Sequence, residues 1–494
     1  MALQFGTSGV RGLVTEMTDR ECYLYTRAFI RHLKAQAEPR SVALAGDYRS
    51  STPRIVKAVA CGIRDEGLEV DLCGNIATPA VMNYGLRHNM ASVVVTGSHI
   101  PDDRNGIKFN MPWGEVLKGD EEEILQWYSM LEVEEEKNRA TGRSLFSENG
   151  WFTSGTVRDM GEINRAGRDD YIRRFTDFFS SESLQGLKVL FYQHSSVSRD
   201  VVPDILEQLG AEIILLGHSE AFVAVDTEAV EEPERLARWV TEKKADALVS
   251  TDGDGDRPLV VDENGKIVRG DVLGILVADF LGADCVSAPV SCNTALEKSK
   301  RFAKVSRTRI GSPYVITSMN EAAALGCRIV VGYEANGGFL TASDIVNADT
   351  GAVLKALPTR DAALPIIAVL MASLKRGKKL SHLVGELPSS VTASGLLRDF
   401  PTEVGKMLVD QFQAGGRNFA NEIFSSPFGK VESMDFTDGA RMTFKSGDVV
   451  HLRPSGNAPE FRCYTESSTE DQAVRNNQIA LEIVEKLKGE MTLG

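Results

Sequence analysis

Thr251-Asp252-Gly253-Asp254-Gly255-Asp256-Arg257 sets three carboxylates at alternate positions with glycines between them. The run follows an apolar stretch, 245–249, that reads as a β-strand. The glycines let the backbone turn tightly enough to bring the carboxylates together. Crowded anions repel, so a cation is expected among Asp252, Asp254 and Asp256. Oxygen-only donors suit a hard ion such as Mg2+. Asp-Gly pairs also mark ordinary turns, and the competing reading is a solvated acidic loop. Placement at the carboxyl end of a strand, with Arg257 adjoining, favours the metal cage.

The chain around this loop has 494 residues, too many for one core, and length alone suggests about three or four domains. The formal net charge of −14 disfavours a non-specific nucleic-acid or anionic-membrane binder. The seven cysteines are scattered and form no CxxC pair, so most are expected to be buried small hydrophobes in a reducing compartment. The N-terminus lacks a basic-then-apolar signal pattern, and there is no apolar run of about 18 residues to cross a membrane. A cytoplasmic protein is expected.

A strand–loop–helix–strand unit recurs along the chain. Residues 41–45 read as a strand, Pro53 opens a helix with Ile55, Val59 and Ile63 on one face, and 68–72 read as the next strand. Before this unit, Thr18-x-x-Glu21 is a capping box for a helix running to about residue 36. The unit returns at 187–216 and, more loosely, at 311–331. Residues 119–136 read as a solvated acidic helix with Ile124, Leu125, Tyr128 and Leu131 as its apolar face, and 361–374 as a further helix. The last hundred or so residues change to short strands at 431–436, 441–444, 449–452 and 460–465 and a helix at 469–488. The expected architecture is α/β: three similar mixed-sheet α/β domains, at 1–160, 161–265 and 266–380, with a C-terminal α+β domain at 381–494, around a central cleft.

Three further polar loops stand at strand ends. Thr96-Gly97-Ser98-His99-Ile100-Pro101 follows the apolar run 91–95 and offers a hydroxyl. Gly332-Tyr333-Glu334-Ala335-Asn336-Gly337-Gly338 offers groups that can accept from and donate to sugar hydroxyls. Arg453-Pro454-Ser455-Gly456-Asn457-Ala458-Pro459 combines a guanidinium, a hydroxyl, an amide and a Gly-loosened backbone, as a phosphate cradle would. Each is also ordinary turn composition when taken alone.

Together, in this order, the four loops resemble those of the α-D-phosphohexomutase superfamily, in particular its bacterial phosphomannomutase and phosphoglucomutase branch, over essentially the whole chain. The segment 96–101 is similar to the family's Thr-Ala-Ser-His-Asn-Pro phosphoserine loop, and 252–257 matches its metal loop without a change. Glu334-Ala335-Asn336-Gly337 is similar to the Glu-x-Ser-Gly sugar loop, and 453–459 to the phosphate loop. The departures are Gly97 for Ala, Ile100 for Asn, Asn336 for Ser, and Gly338 where many members carry His.

The resemblance implies a phosphoryl group carried on Ser98 and one Mg2+ held by Ser98, Asp252, Asp254 and Asp256. It further implies Lys108 as acid–base residue, Arg11 and Arg257 as charge stabilisers, and Glu334, Asn336, Arg453, Ser455, Gly456 and Asn457 as substrate contacts. The implied reaction interconverts hexose 6-phosphate and hexose 1-phosphate, of mannose and/or glucose, through a hexose 1,6-bisphosphate that also serves as activator. The partners implied are hexose phosphates, with no nucleic acid and no membrane, and the chain is expected to be a monomer or weak homodimer. Phosphoglucosamine mutase is the nearest alternative. A phosphoserine-using phosphomonoesterase and a non-catalytic sugar-phosphate binding protein are the rivals from other classes.

Overall fold

The strand Ala91–Val95 is buried along its whole length, and so are Ala247–Thr251 and Val330–Tyr333. Strands with no solvent-facing side need cover on both faces, which α/β layering supplies. The computed structural model describes residues 3–6, 9–153, 155, 160–455 and 459–493, and places each of these strands at the centre of its own mixed sheet.

The three sheets share one plan. On one side the central strand has a parallel neighbour: Ser41–Gly46, Lys188–His194 and Cys285–Pro289 respectively. Outside that neighbour lies a further parallel strand, Glu69–Gly74, Glu212–His218 or Lys304–Thr308. On its other side the central strand pairs antiparallel with Arg104–Met111, Pro258–Asp262 or Phe339–Thr341. The turn joining the central strand to its antiparallel neighbour therefore falls at the same place in each sheet. Those turns are 96–103, 252–257 and 334–338. The fourth sheet is antiparallel throughout, in the order Val391–Leu397, Phe461–Ser467, Val449–Pro454, Ala440–Phe444, Val431–Asp435. The helices Thr402–Phe428 and Glu470–Leu493 pack on it through Leu408, Phe412, Phe424, Ala480 and Val484. The expected fold class, three mixed-sheet α/β units and a C-terminal α+β unit, is what the chain adopts.

Local rules explain most element boundaries. The Thr18 hydroxyl accepts from the Glu21 amide at 3.3 Å and starts the helix Asp19–Gln36, a cap worth about 1 kcal/mol. The reciprocal half of the box is not made with Glu21, whose carboxylate is engaged by Arg20 and Tyr128. Pro53 sits in the first turn of Thr52–Asp65, where its missing N–H costs nothing.

Several elements depart from the expectations. The helix Thr78–Arg87 is buried on all sides over its first eight residues and so carries no amphipathic period to reveal it. The helices Ala166–Thr176 and Pro233–Lys243 and the strand Val391–Leu397 also lie in stretches where no element was expected. Thr402–Phe428 is two helices meeting at Gly416, whose φ of +55° breaks the pattern, and Pro427 stands in its last turn. Leu125 is exposed rather than part of the apolar face of Lys118–Ala140. The helix expected from 361 begins at Ala363, because 359–361 belong to the strand Leu357–Asp361. Five of the seven cysteines, Cys22, Cys61, Cys73, Cys292 and Cys463, are free and buried as expected for most of them, while Cys285 and Cys327 form a disulfide with Cα atoms 6.1 Å apart, which the scattered spacing did not suggest. Among the described residues no helix is long and apolar enough to cross a membrane.

The first three units are bound into one body. A continuous apolar cluster includes Val81 and Tyr84, Ile205 and Val249, and Leu276, Ile366 and Leu370. Polar contacts add registration. The Tyr171 hydroxyl donates to Asp361 at 2.6 Å, and Ser312 and Thr359 donate to the two oxygens of buried Glu115 at 2.7 and 2.6 Å. The fourth unit docks through Glu466, which accepts from the Thr294 amide at 3.1 Å.

His451, buried in that fourth unit, donates from Nε2 to the Asp438 carbonyl, and burial pushes its pKa down from 6.5 to about 4. Below about pH 6.5 the unfolded chain binds a proton there that the folded chain refuses until about pH 4. Stability must therefore fall as pH drops through that window, by up to about 3 kcal/mol for this residue. Urea unfolding of wild type and His451→Gln at pH 7 and at pH near 4.5 should show the variant losing clearly less stability on acidification. Equal losses would place the acid sensitivity elsewhere.

Candidate active site

Asp252 follows directly on the strand Ala247–Thr251, and its Oδ1 accepts from the amides of Asp256 and Arg257, each at 3.1 Å. That closes the turn and points three carboxylates into one volume: an oxygen from each of Asp252, Asp254 and Asp256 lies within 4.8 Å of the others. Gly255 has a φ of +75°, and a Cβ there would stand 2.3 Å from Ser198 Oγ, so both conformation and space demand glycine.

The six carboxylate oxygens are divided in use. Asp254 Oδ2 accepts from Thr78 Oγ1 and from Lys108 Nζ, both at 2.6 Å. Asp256 Oδ2 accepts from Lys108 Nζ at 2.7 Å and from Arg360 Nε and Nη2 at 3.1 and 2.9 Å. Asp254 Oδ1 and Asp256 Oδ1 are buried with no hydrogen-bond partner among the described residues. Two buried carboxylate oxygens free of hydrogen bonds, of which Asp256 Oδ1 has Arg257 Nε at 3.7 Å, stand beside a third carboxylate and form a donor set that fits a hard divalent cation such as Mg2+.

Ser98 meets this cage from the first sheet. Its Oγ donates to Asp252 Oδ2 at 2.6 Å, and His99 Nδ1 lies 3.3 Å away on the same hydroxyl. Ser98 is fully buried and holds a left-handed φ of +57°, a strain that non-glycine residues keep mainly where the surroundings enforce it. The enforcing group is Arg49, whose guanidinium donates to the carbonyls of Ser98 at 3.0 Å, Pro101 at 2.6 Å and Arg104 at 3.1 Å. Asp47 holds Arg49 through Nε at 3.2 Å and accepts from the Gly97 amide at 3.2 Å.

Glu334 opens the third turn. Its Oε2 accepts from Arg360 Nη1 at 2.8 Å, so Arg360 joins the Glu334 loop to the metal loop. Asn336 spends its carboxamide oxygen inside its own loop, accepting from the Gly338 amide at 2.9 Å. In the fourth unit Arg453 pairs with Asp438 at 3.0 Å, and the Ser455 amide donates to the Glu460 carbonyl at 2.8 Å. Gly456 and Asn457 lie outside the described residues.

Family models of phosphoglucomutase/phosphomannomutase α/β/α domains I, II and III match residues 2–132, 169–265 and 269–391. A phosphomannomutase of Sinorhizobium fredii is 40% identical over 96% of this chain and 97% of its own length. A phosphomannomutase of Salmonella muenchen is 38% identical over 95% of this chain and 93% of its own. The crystal structure of a Burkholderia thailandensis phosphoglucomutase/phosphomannomutase family protein superposes with a TM-score of 0.73 at 20% identity, covering 98% of this chain and 97% of that one. The chain belongs to the phosphoglucomutase/phosphomannomutase family.

One departure from the family pattern has a steric cause here. Where family members commonly carry Ala, a Cβ on Gly97 would stand 2.5 Å from Arg49 Cζ and Nε. Arg49 and Gly97 are thus one arrangement, and the sequence marked 46–52 only as the loop of the repeated strand–loop–helix–strand unit, with no role for Arg49. Thr78 was missed with its helix, and Arg360 because it stands at a strand end taken for the approach to a helix. The only advance signal for Arg360 was a charged residue next to Asp361 in an otherwise apolar region.

Charge decides how the family's loops behave together. Burial, and then Asp254 and Asp256, push Asp252 well above the usual carboxylate range. Burial also opposes ionisation of Asp254 and Asp256, but Lys108 on both and Arg360 on Asp256 outweigh it and hold these two below that range. Burial opposes the Lys108 ammonium, but the same two aspartates win and raise it. Burial, then Arg257 and Arg360, bring Arg11 down to about 10. Burial, then Arg257 and Arg11, bring His99 down to about 2, so its imidazole is neutral at physiological pH.

Asp254→Asn removes one inward charge at nearly constant volume. Calorimetric titration of the variant with Mg2+ should show affinity lowered at least about tenfold, a difference of about 1.4 kcal/mol. Turnover should fall with it. Unchanged Mg2+ affinity would assign the oxygens free of hydrogen bonds no part in binding metal.

Proposed function

We propose that the protein is a Mg2+-dependent phosphohexomutase that interconverts the 6-phosphate and 1-phosphate of mannose, with glucose as the accompanying hexose. The observation that carries this reading is the 2.6 Å contact between Ser98 Oγ and Asp252, which puts a buried hydroxyl from one domain on the acidic cage of the next. The identity to two bacterial phosphomannomutases over nearly the full chain supports the choice of mannose. Cytoplasmic action follows from the phosphorylated substrates the reading assigns. All four loops come from one chain, so a monomer or a weak homodimer suffices.

Ser98, Asp252, Asp254 and Asp256 would hold the metal, which when bound neutralises charge on a phosphoryl group and makes its phosphorus more electrophilic. Ser98 carries that phosphoryl group in the resting enzyme. A free hydroxyl of the sugar phosphate attacks phosphorus, the bond from phosphorus to Ser98 Oγ breaks, and a hexose 1,6-bisphosphate results. Lys108 gives its proton to Ser98 Oγ as that bond breaks and is restored by the proton the attacking hydroxyl releases. Arg11 and Arg257 stabilise charge on the transferred group. Glu334 and Asn336 hold the middle of the sugar, and Arg453, Ser455, Gly456 and Asn457 grip the phosphate that is not reacting. Reorientation of the bisphosphate presents its other phosphate to Ser98, which takes it back.

Protein first freed of phosphate and then incubated with glucose 1,6-bisphosphate should gain one phosphoryl mass, mapped to the peptide bearing Ser98, and Ser98→Ala should fail to gain it and lose turnover by about 10³-fold or more. Stable label elsewhere together with an active Ser98→Ala would overturn the covalent step.

Substrate choice is read by phosphorus NMR with the 1-phosphates of mannose, glucose, glucosamine and N-acetylglucosamine, Mg2+ and catalytic bisphosphate. Mannose and glucose 6-phosphates should accumulate, mannose the faster, with little inorganic phosphate. Faster conversion of glucosamine 1-phosphate would reassign the enzyme as a phosphoglucosamine mutase. Predominant inorganic phosphate would make it a phosphatase.

A further inference from the structure

Arg360 is buried, belongs to none of the four loops, and holds two of them at once. Nε and Nη2 donate to Asp256 Oδ2 at 3.1 and 2.9 Å, and Nη1 donates to Glu334 Oε2 at 2.8 Å. The planar fork can reach both carboxylates only from a fixed direction. That direction is available because of Gly338: a Cβ there would stand 2.7, 2.8 and 2.9 Å from Arg360 Cδ, Cγ and Cβ. These are stem atoms close to the backbone, which cannot step aside as the tip of a long side chain can. The neighbours on the strand are fixed too, Thr359 by Glu115 and Asp361 by Tyr171. The stem of Arg360, which aims the fork, thus occupies the room that a side chain at 338 would take.

We propose that Arg360 is a positioning residue for sugar recognition: it orients Glu334 and locks it to Asp256, and it does so in space that Gly338 leaves open. One Glu334 oxygen is occupied by Arg360, and the other is the one offered to the sugar. Losing the fork releases Glu334 without removing any group that touches substrate. The sugar-binding part rests on the hexose-phosphate reading; the steric coupling to Gly338 does not.

Two double-variant cycles test it. In the first, mannose 1-phosphate binding to wild type, Arg360→Met, Glu334→Gln and the double variant is measured by calorimetry with Mg2+ present, and KM is measured alongside. Each single variant should weaken binding and raise KM at least about tenfold, and the double variant should be no worse than the weaker single, because Arg360 acts through Glu334. Arg360→Lys, which keeps the charge without the fork, should restore thermal stability toward wild type but not KM. Additive losses, or a KM unchanged in Arg360→Met, would overturn the role.

The second cycle uses urea midpoints of wild type, Gly338→Ala, Arg360→Ala and the double variant. Gly338→Ala should lower the midpoint clearly in wild type and barely in the Arg360→Ala background. An equal drop in both backgrounds would overturn the steric coupling. Wild type that binds no mannose 1-phosphate would instead count against the proposed function, leaving this second cycle to decide whether Gly338 makes room for Arg360.

Discussion

Burying three carboxylates within a few ångströms of one another is the constraint on which this structure turns. Desolvation and mutual repulsion both oppose it, and partners must be brought from outside the loop that carries them. Lys108 comes from the first sheet and Arg360 from the third, both onto aspartates of the second. Removing one partner from such a buried set typically costs about 3–5 kcal/mol. Docking of the three domains and assembly of the site are therefore one event. A domain displaced from its neighbours would leave uncompensated charge behind, and this ties the cleft's geometry to the stability of the whole body.

The repeated sheet plan explains how three unrelated chemistries arrive at one place. Each sheet delivers its functional turn from the same position, between the central strand and its antiparallel neighbour. The turn of the first carries Ser98, that of the second the aspartates, and that of the third Glu334. A hairpin turn at this point is rigid on both sides, because its two strands are held in register, as with Val249 opposite Val260 and Gly332 opposite Leu340. Rigid flanks are what allow Ser98 to keep a left-handed backbone and the carboxylates to stay close without collapsing apart.

Much of this was legible in the chain itself, and the illegible part has a consistent character. Buried apolar runs announce the central strands, and Asp-Gly-Asp-Gly-Asp after one of them announces an acidic cage, because those patterns are local. The strand–helix repeats at 41–72 and 187–216 likewise disclose related domains. Thr78–Arg87 stays hidden because a helix buried all round has no polar face to give it a period. Arg49 and Arg360 stay hidden because their importance lies in contacts 49 and 104 residues away along the chain. The Cys285–Cys327 link, 42 residues apart, is invisible to spacing rules for the same reason. Residues that bear chemistry can be read from composition near a strand end. Residues that aim them are read only once the strands are paired.

That distinction gives the site its internal logic. The outer oxygens of Asp254 and Asp256 are taken by Thr78, Lys108 and Arg360, and this fixes which oxygens face inward. An aspartate free to rotate would present either oxygen and would lose affinity to that freedom; one gripped on a single oxygen presents the other with no choice left. Arg360 repeats the device on Glu334, gripping one oxygen of the residue assigned to the sugar. Arg49 applies it to the backbone, gripping the carbonyls around Ser98 so that the hydroxyl has one direction to point. In each case a buried cation spends its donors on the side of the group that does no chemistry. Gly97 and Gly338 are the corresponding absences, since a methyl at either would strike the arginine that does the aiming. The two glycines that depart from the family pattern therefore belong with two arginines outside the four loops, and each pair is a single solution to holding an acceptor or a hydroxyl still.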